Sequence, residues 1–93
     1  MADVGTKLLF ENKRVRVWEV VLEPGESLGM HTHELDYLFY PTQGTSVEVT
    51  RASGVEHAEL KAGEVYYFAR GDTHAARNVG DGRFHEILIE LKD

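Results

Sequence analysis

The chain has 93 residues, no cysteine, and 10 Lys and Arg against 16 Asp and Glu, which gives a formal net charge of −6. This length predicts one domain over residues 1–93, and the 42% apolar and 28% charged content is that of a globular chain. The acidic balance argues against a nucleic-acid partner and against an anionic membrane surface, because both need clustered Lys and Arg. The lack of cysteine excludes a disulfide framework, a thiolate metal site and a cysteine nucleophile.

The first ten residues, MADVGTKLLF, contain no long apolar segment and carry an acid at Asp3. We therefore expect neither a signal peptide nor a membrane anchor, and the longest apolar runs fall short of the ~18–20 residues that a span needs. The sequence predicts a soluble, cytoplasmic protein.

Short strands separated by turns account for most of the chain. Runs rich in β-branched and aromatic residues end at turn signals such as Pro24-Gly25 and Gly80-Asp81-Gly82. They recur every ~8–12 residues, which is typical of a β-sandwich or barrel. Residues 7–11 are compatible with a short strand or with one helical turn. The predicted strands are 14–22, 35–40, 46–51, 55–60, 64–68 and 83–91.

The predicted strand 14–22 is apolar on both faces. One face can line the inside of a barrel, and the other then needs a cover. A second subunit is a suitable cover, so the sequence predicts a homodimer. The two faces carry Val15, Val17 and Val21 on one side and Trp18, Val20 and Leu22 on the other.

A pair of histidines, His31 and His33, lies in a predicted strand just after the Pro24-Gly25 turn. In a strand, side chains at i and i+2 point to the same face, about 6.6–6.8 Å apart. Two imidazoles at this spacing can converge on one ion, since each metal–nitrogen bond spans only ~2.0–2.1 Å.

Glycine and histidine residues recur at fixed spacings in two blocks of the chain, and the first block contains this pair. Their spacing resembles the two motifs of the cupin superfamily, G-x5-H-x-H-x(3,4)-E-x6-G and G-x5-P-x-G-x2-H-x3-N. The resemblance covers nearly the whole chain and implies an all-β fold, a small cupin-type β-barrel (a double-stranded β-helix, or jelly roll). The matching residues are Gly25, His31, His33 and Gly44 in the first block, and Gly63, Gly71, His74 and Asn78 in the second.

The chain departs from these motifs at two positions. Ala69 replaces the proline of the second motif, and Gly71 can still supply the turn. The glutamate of the first motif is missing, and Tyr37 stands at its position with the strand parity of the two histidines. Glu34 and Asp36 have the opposite parity and reach the histidines only through a bulge. Asp36 is the better reserve ligand, because the motif tolerates an extra residue.

The resemblance implies that His31, His33 and His74 bind a metal. Three neutral imidazoles without a carboxylate suit the divalent transition ions of iron, nickel, zinc or copper, with water or ligand completing the shell. The alternative is a metal-free barrel whose histidines hydrogen-bond a polar ligand.

Two further histidines and one asparagine have different expected roles. His85 alternates with apolar residues in 83–91, so it is either an inward acid–base group or a satisfied core or rim histidine. His57 is expected on the surface. Asn78, which closes the second motif, is expected to hold backbone in place.

The sequence leaves two classes of function open. One is a metal-dependent oxygenase, isomerase or lyase acting on a small polar or carboxylate molecule, with Tyr37 and His85 as candidate catalytic residues. The other is a non-catalytic barrel that binds or senses a small molecule. No serine lies in a nucleophile elbow or triad setting, so the sequence does not decide whether the protein is an enzyme.

Overall fold

The computed structural model describes residues 3–93, and within that range it contains nine β-strands and no helix. Consequently, no helix able to cross a membrane occurs in the described part of the chain. The strands are β1 (Lys7–Glu11), β2 (Val15–Leu22), β3 (Ser27–Thr32), β4 (Asp36–Gln43), β5 (Thr45–Arg51), β6 (Gly54–Leu60), β7 (Tyr66–Phe68), β8 (Thr73–Asn78) and β9 (Phe84–Leu91).

The nine strands form two sheets in which every paired neighbour is antiparallel. One sheet has the order β1-β2-β9-β4-β7 and the other has the order β3-β8-β5-β6. The inner faces meet, because Leu28 of β3 and Leu60 of β6 pack against the apolar cluster of the five-stranded sheet. This architecture confirms the predicted all-β, jelly-roll fold.

The six predicted strands are all present, with ends shifted by a few residues. Residues 7–11 form a strand rather than a helical turn, and β8 was not among the predicted strands. Strand β4 continues through Pro41, where the prediction ended. The β4–β9 register shifts between Pro41 and Gln43, an irregularity of the kind that accommodates a proline in a sheet.

The core lies between the sheets and is built from alternate residues of β2, β4 and β9. On β2 the even-numbered side chains Val20 and Leu22 are 3% and 4% exposed, whereas the odd-numbered valines are partly exposed on the outer face. The predicted two-sided character of this strand is therefore confirmed. The buried partners are Phe39, Phe84 and Leu88.

Two of the motif residues, Gly44 and Asn78, determine how neighbouring backbone segments pack. A Cβ on Gly44 would lie 2.3 Å from the carbonyl oxygen of Leu60, so only glycine permits this close approach. Asn78 is fully buried and satisfies both ends of its amide, as the sequence predicts. It donates to the Leu22 and Gly82 carbonyls and accepts from the Gly80 amide and the Thr45 hydroxyl, all at 2.8–2.9 Å.

Candidate metal and ligand pocket

A pocket of about 180 Å³ lies between the inner faces of the two sheets. Most of its wall is aliphatic or aromatic, and a few polar side chains face into it, which is the usual composition of a small-molecule site. The polar lining residues are His31, His33, Tyr37, Arg51, Glu56, Asp72, His74 and Glu86.

A bulge in β3 aims His31 into the pocket. The β3–β8 register pairs Leu28 with Ala76 and His31 with His74, so β3 has one more residue than β8 between these two pairs. The extra residue reverses the alternation, and both Leu28 and His31 therefore face inward. The sequence motif specifies this spacing but does not reveal the bulge.

The turn before β8 positions His33. The backbone of His33 donates to the Asp72 carbonyl at 2.9 Å and accepts from the Gly71 amide at 2.8 Å, which extends the ladder past the end of β3. Gly71 has a φ of 105°, a conformation that side chains rarely adopt. Gly71 therefore supplies the turn even though Ala69 replaces the motif proline.

The three predicted ligands meet with their Nε2 atoms close together. The Nε2 atom of His33 lies 3.2 Å from that of His31 and 3.3 Å from that of His74. A metal held at 2.0–2.1 Å by three nitrogens would separate them by about 2.8–3.4 Å in octahedral or tetrahedral geometry. These two spacings fit one transition-metal ion, and the ligand nitrogens of this three-histidine cluster all lie within 4.8 Å of one another.

In His31 and His74, a hydrogen bond at Nδ1 leaves the Nε2 atom available to donate its electron pair. Nδ1 of His31 donates to the Gly29 carbonyl and Nδ1 of His74 donates to the Asp72 carboxylate, each at 2.7 Å. In the neutral rings, the Nε2 atoms of His31 and His74 are then unprotonated. Both lone pairs face the Nε2 atom of His33, so one cation could accept all three nitrogens, whereas without a cation the Nε2–H tautomer of His33 would donate to them. The residues present therefore fit a metal ion.

Burial keeps His33 in the form that binds metals. The pKa of His33 falls to about 3, because burial removes water from the imidazolium and because His31 and His74 lie close. Burial also lowers the pKa of His31, although its bond to Gly29 acts in the opposite direction. Neutral imidazole is the metal-binding form, so protons compete little with a metal near pH 7.

A carboxylate and a guanidinium hold His74 in place. Asp72 lies two residues before His74, immediately ahead of β8, and Arg51 of β5 contacts Asp72 through Nε and Nη2, each at 2.9 Å. Arg51 and the bond from His74 keep the pKa of Asp72 well below its usual range. Asp72 was not predicted from the sequence, although its i, i+2 relation to His74 was a usable signal.

We expect Asp72→Asn to weaken zinc binding by roughly 10–100-fold, since a carboxylate behind a histidine ligand fixes its tautomer and raises its basicity. Competition with a chromogenic chelator measures the affinity. Asp81→Asn, in the exposed turn before β9, is the matched control and leaves the affinity unchanged. Equal affinities for both variants would show that Asp72 does not support the site.

Tyr37 lies beside the cluster, as its parity predicts. Its ring is 3% exposed and stacks on His33, with centroids 3.8 Å apart and an interplanar angle of 14°. Burial, and secondarily the charge of Asp72, raises the pKa of the Tyr37 hydroxyl well above its usual range, so the phenol stays protonated. The reserve ligand Asp36 is not brought to the cluster, because it binds Arg70 through that residue's backbone amide at 2.8 Å.

The structure does not bring His85 to the pocket. On β9 the even-numbered residues are buried, and His85 lies on the opposite, outer face. There its Nε2 is 2.8 Å from a carboxylate oxygen of Glu19, and its Nδ1 contacts the Thr42 hydroxyl. The inward acid–base interpretation is corrected, and the alternative of a satisfied histidine is the one observed. His57 is 65% exposed, as predicted.

The inner face of β9 places a carboxyl, Glu86, in the pocket wall. Its residue exposure is 6%, and it belongs to the buried row Phe84, Glu86, Leu88 and Glu90. Burial raises the pKa of Glu86 to about 8. Glu86 was not predicted from the sequence, because the apolar side of residues 83–91 was expected to face inward.

Comparison with known proteins identifies the family. The family model described as "Cupin domain" matches residues 18–90, which is most of the chain. The chain therefore belongs to the cupin family, in agreement with the two motifs and the fold.

Named relatives and a solved structure agree with this assignment. The chain is 32% identical over 79 residues to the beta-alanine degradation protein BauB of Pseudomonas aeruginosa, which covers 85% of this chain and 80% of BauB. It is 31% identical over 94 residues to an oxalate-binding protein of Thermotoga maritima, covering 98% of this chain and 75% of that protein. A crystal structure of a cupin domain from Bordetella pertussis superposes with a TM-score of 0.90 at 29% identity, covering 94% of this chain and 91% of the other.

Proposed function

We propose that this protein, as a single cupin domain over residues 1–93, holds one divalent transition metal and binds a small carboxylate at it. His31, His33 and His74 are the proposed ligands. The observation that carries the proposal is the convergence of three Nε2 atoms whose opposite nitrogens, in His31 and His74, are committed to acceptors. A bound metal would supply Lewis acidity toward oxygen donors.

The charge balance of the pocket favours an anionic ligand. The three imidazoles are neutral ligands, and no carboxylate of the described residues belongs to the cluster. Arg51 pairs with both Asp72 and Glu56, and these three groups together carry one net negative charge. A divalent ion would therefore leave a net charge of +1 in an apolar pocket, and a monocarboxylate ligand compensates that charge at short range.

Two further observations support a carboxylate. A relative that shares 31% identity is named for binding oxalate, a small dicarboxylate. The protonated hydroxyl of Tyr37 lines the same pocket and is a proposed donor to a ligand oxygen. Tyr37 is therefore the remaining candidate for a catalytic role, in which the same hydrogen bond would stabilise an oxyanion.

Oxalate binding to protein with and without zinc tests this proposal. Isothermal titration of the zinc-loaded protein is expected to give at least about ten-fold tighter binding than titration of the chelator-stripped protein, a difference of about 1.4 kcal/mol. The difference arises because the metal supplies the charge that attracts the carboxylate. Equal affinity in the two samples, or failure of the protein to take up zinc, would contradict the proposal.

We also propose that the protein is a cytoplasmic homodimer formed through the outer face of the five-stranded sheet. This face is apolar and partly exposed on three adjacent strands, and a second copy would cover it. Its central residues include Val17, Leu38, Tyr40, Ile87 and Ile89.

Light scattering at micromolar concentration is expected to give a dimer mass for the wild-type protein and a monomer mass for Ile89→Glu, since a charge cannot be buried in an apolar interface without a partner. Val55→Glu is the control, because Val55 is 58% exposed on the other sheet. A monomer mass for the wild-type protein, or a dimer of unchanged strength for Ile89→Glu, would contradict this interface.

A further inference from the structure

Glu86 is surrounded by apolar side chains. Its neighbours on the same strand face are Phe84 and Leu88, which are 2% and 3% exposed. Its partners across the ladder are Val20 on β2 and Pro41 on β4, both buried. All four residues that surround the carboxyl on this face are therefore buried and apolar.

The Glu86 carboxyl has no protein partner. Among residues 3–93, no group hydrogen-bonds or ion-pairs with it, and burial is the single cause of its pKa shift. Its oxygens are not among the fully enclosed unpaired atoms of the described residues, so they open onto the pocket, and a carboxyl in so apolar a setting gains from a hydrogen-bond partner there. The side chain lines the pocket, so a molecule in the pocket can reach it.

We propose that Glu86 is a specificity-determining residue that donates a hydrogen bond from its protonated carboxyl to an uncharged oxygen of the bound molecule. This inference rests on the proposed function and names the ligand class more closely. The molecule would be a small oxo or hydroxy acid with a carboxylate at the three-histidine cluster and a neutral oxygen acceptor at Glu86. The aliphatic and aromatic walls between these groups would contact its hydrocarbon part.

A neutral hydrogen bond fits this pocket better than an ion pair with a ligand ammonium. Both charges of such a pair would have to leave water, and no other polar group lies among the four residues around Glu86 to support the ionised carboxylate. The other ionisable groups of the pocket are the three-histidine cluster, Tyr37, Glu56 and the Arg51–Asp72 pair. Arg51 is already paired with Asp72 and Glu56, so it is not free to compensate a charge on Glu86.

Matched carboxylic acids test the proposal. Isothermal titration of the zinc-loaded protein uses three series of straight-chain carboxylic acids with four to six carbons. The first series is unsubstituted, and the second carries a ketone on the carbon next to the methyl end. The third ends in an ammonium group. For at least one chain length we expect the oxo acid to bind at least about ten-fold tighter than the plain acid. The same ratio should fall to about one in Glu86→Leu and persist in part in Glu86→Gln, whose amide still donates.

Three results would overturn the proposal: an oxo-to-plain ratio that is the same in wild-type protein and Glu86→Leu, tightest binding of the ammonium acids, or no binding of any acid at millimolar concentration. Zinc content is measured on the same samples. A protein without zinc that retains the Glu86-dependent ratio would refute the proposed metal function alone. A zinc-loaded protein without that ratio would refute the role of Glu86 alone.

Discussion

A variant that combines His31→Ala and His74→Ala is expected to lose its bound metal, from about one zinc per wild-type chain to about zero. Only one imidazole of the cluster, that of His33, remains in the variant, and a single nitrogen cannot hold a transition metal against water and buffer. Elemental analysis after dialysis against zinc and removal of the excess ion measures the content.

His57→Ala is the control for this loss. It also removes an imidazole, but from an exposed position on β6 away from the cluster, where its nearest carboxylate oxygen, on Glu48, is 3.6 Å away. We expect it to retain one zinc per chain. Zinc retained by the double variant, with folding confirmed by circular dichroism, would show that the metal binds elsewhere.

The second large effect is on stability. Glu86→Gln is expected to gain roughly 2–4 kcal/mol in free energy of unfolding relative to wild-type protein as the pH rises from 5 to 8. The pKa of Glu86 is about 8 in the folded protein, against 4.5 for an ordinary glutamate. Between these values the folded state holds a proton that the unfolded state has lost, so the wild-type stability falls as the pH rises, and Gln has no proton to lose.

Urea titrations at several pH values, in the presence of a chelator, measure this difference. Glu64→Gln, in the exposed turn before β7, is the control, and its profile should follow that of the wild-type protein. Parallel profiles for Glu86→Gln and the wild-type protein would mean that the carboxyl titrates normally and is not desolvated. A functional residue that lowers stability in this way is a common cost of a binding site.

The all-β fold could be predicted from the sequence because turn signals recur along the chain between short runs of β-branched and aromatic residues. Strand β8 was missed, since its residues THAARN lack the β-branched alternation of the other strands. It is held by its two neighbours, with His31 opposite His74 on β3 and Val47 opposite Asn78 on β5. Tertiary pairing overrides weak local propensity here.

The three histidines and Tyr37 could be predicted because their spacing and parity are properties of the sequence. Parity alone does not say which side of a strand faces inward. On β9 the apolar side, with Ile87 and Ile89, faces outward, and the inner side carries two glutamates. The usual rule that the apolar side faces the core therefore assigned His85 to the pocket and left Glu86 out.

X-ray absorption at the zinc edge of the reconstituted protein tests the central claim most directly, because it reports the atoms bound to the metal. Coordination by His31, His33 and His74 predicts nitrogen neighbours at about 2.0–2.1 Å with the outer-shell scattering of three imidazole rings. A first shell made of oxygen alone, without imidazole scattering, would contradict it.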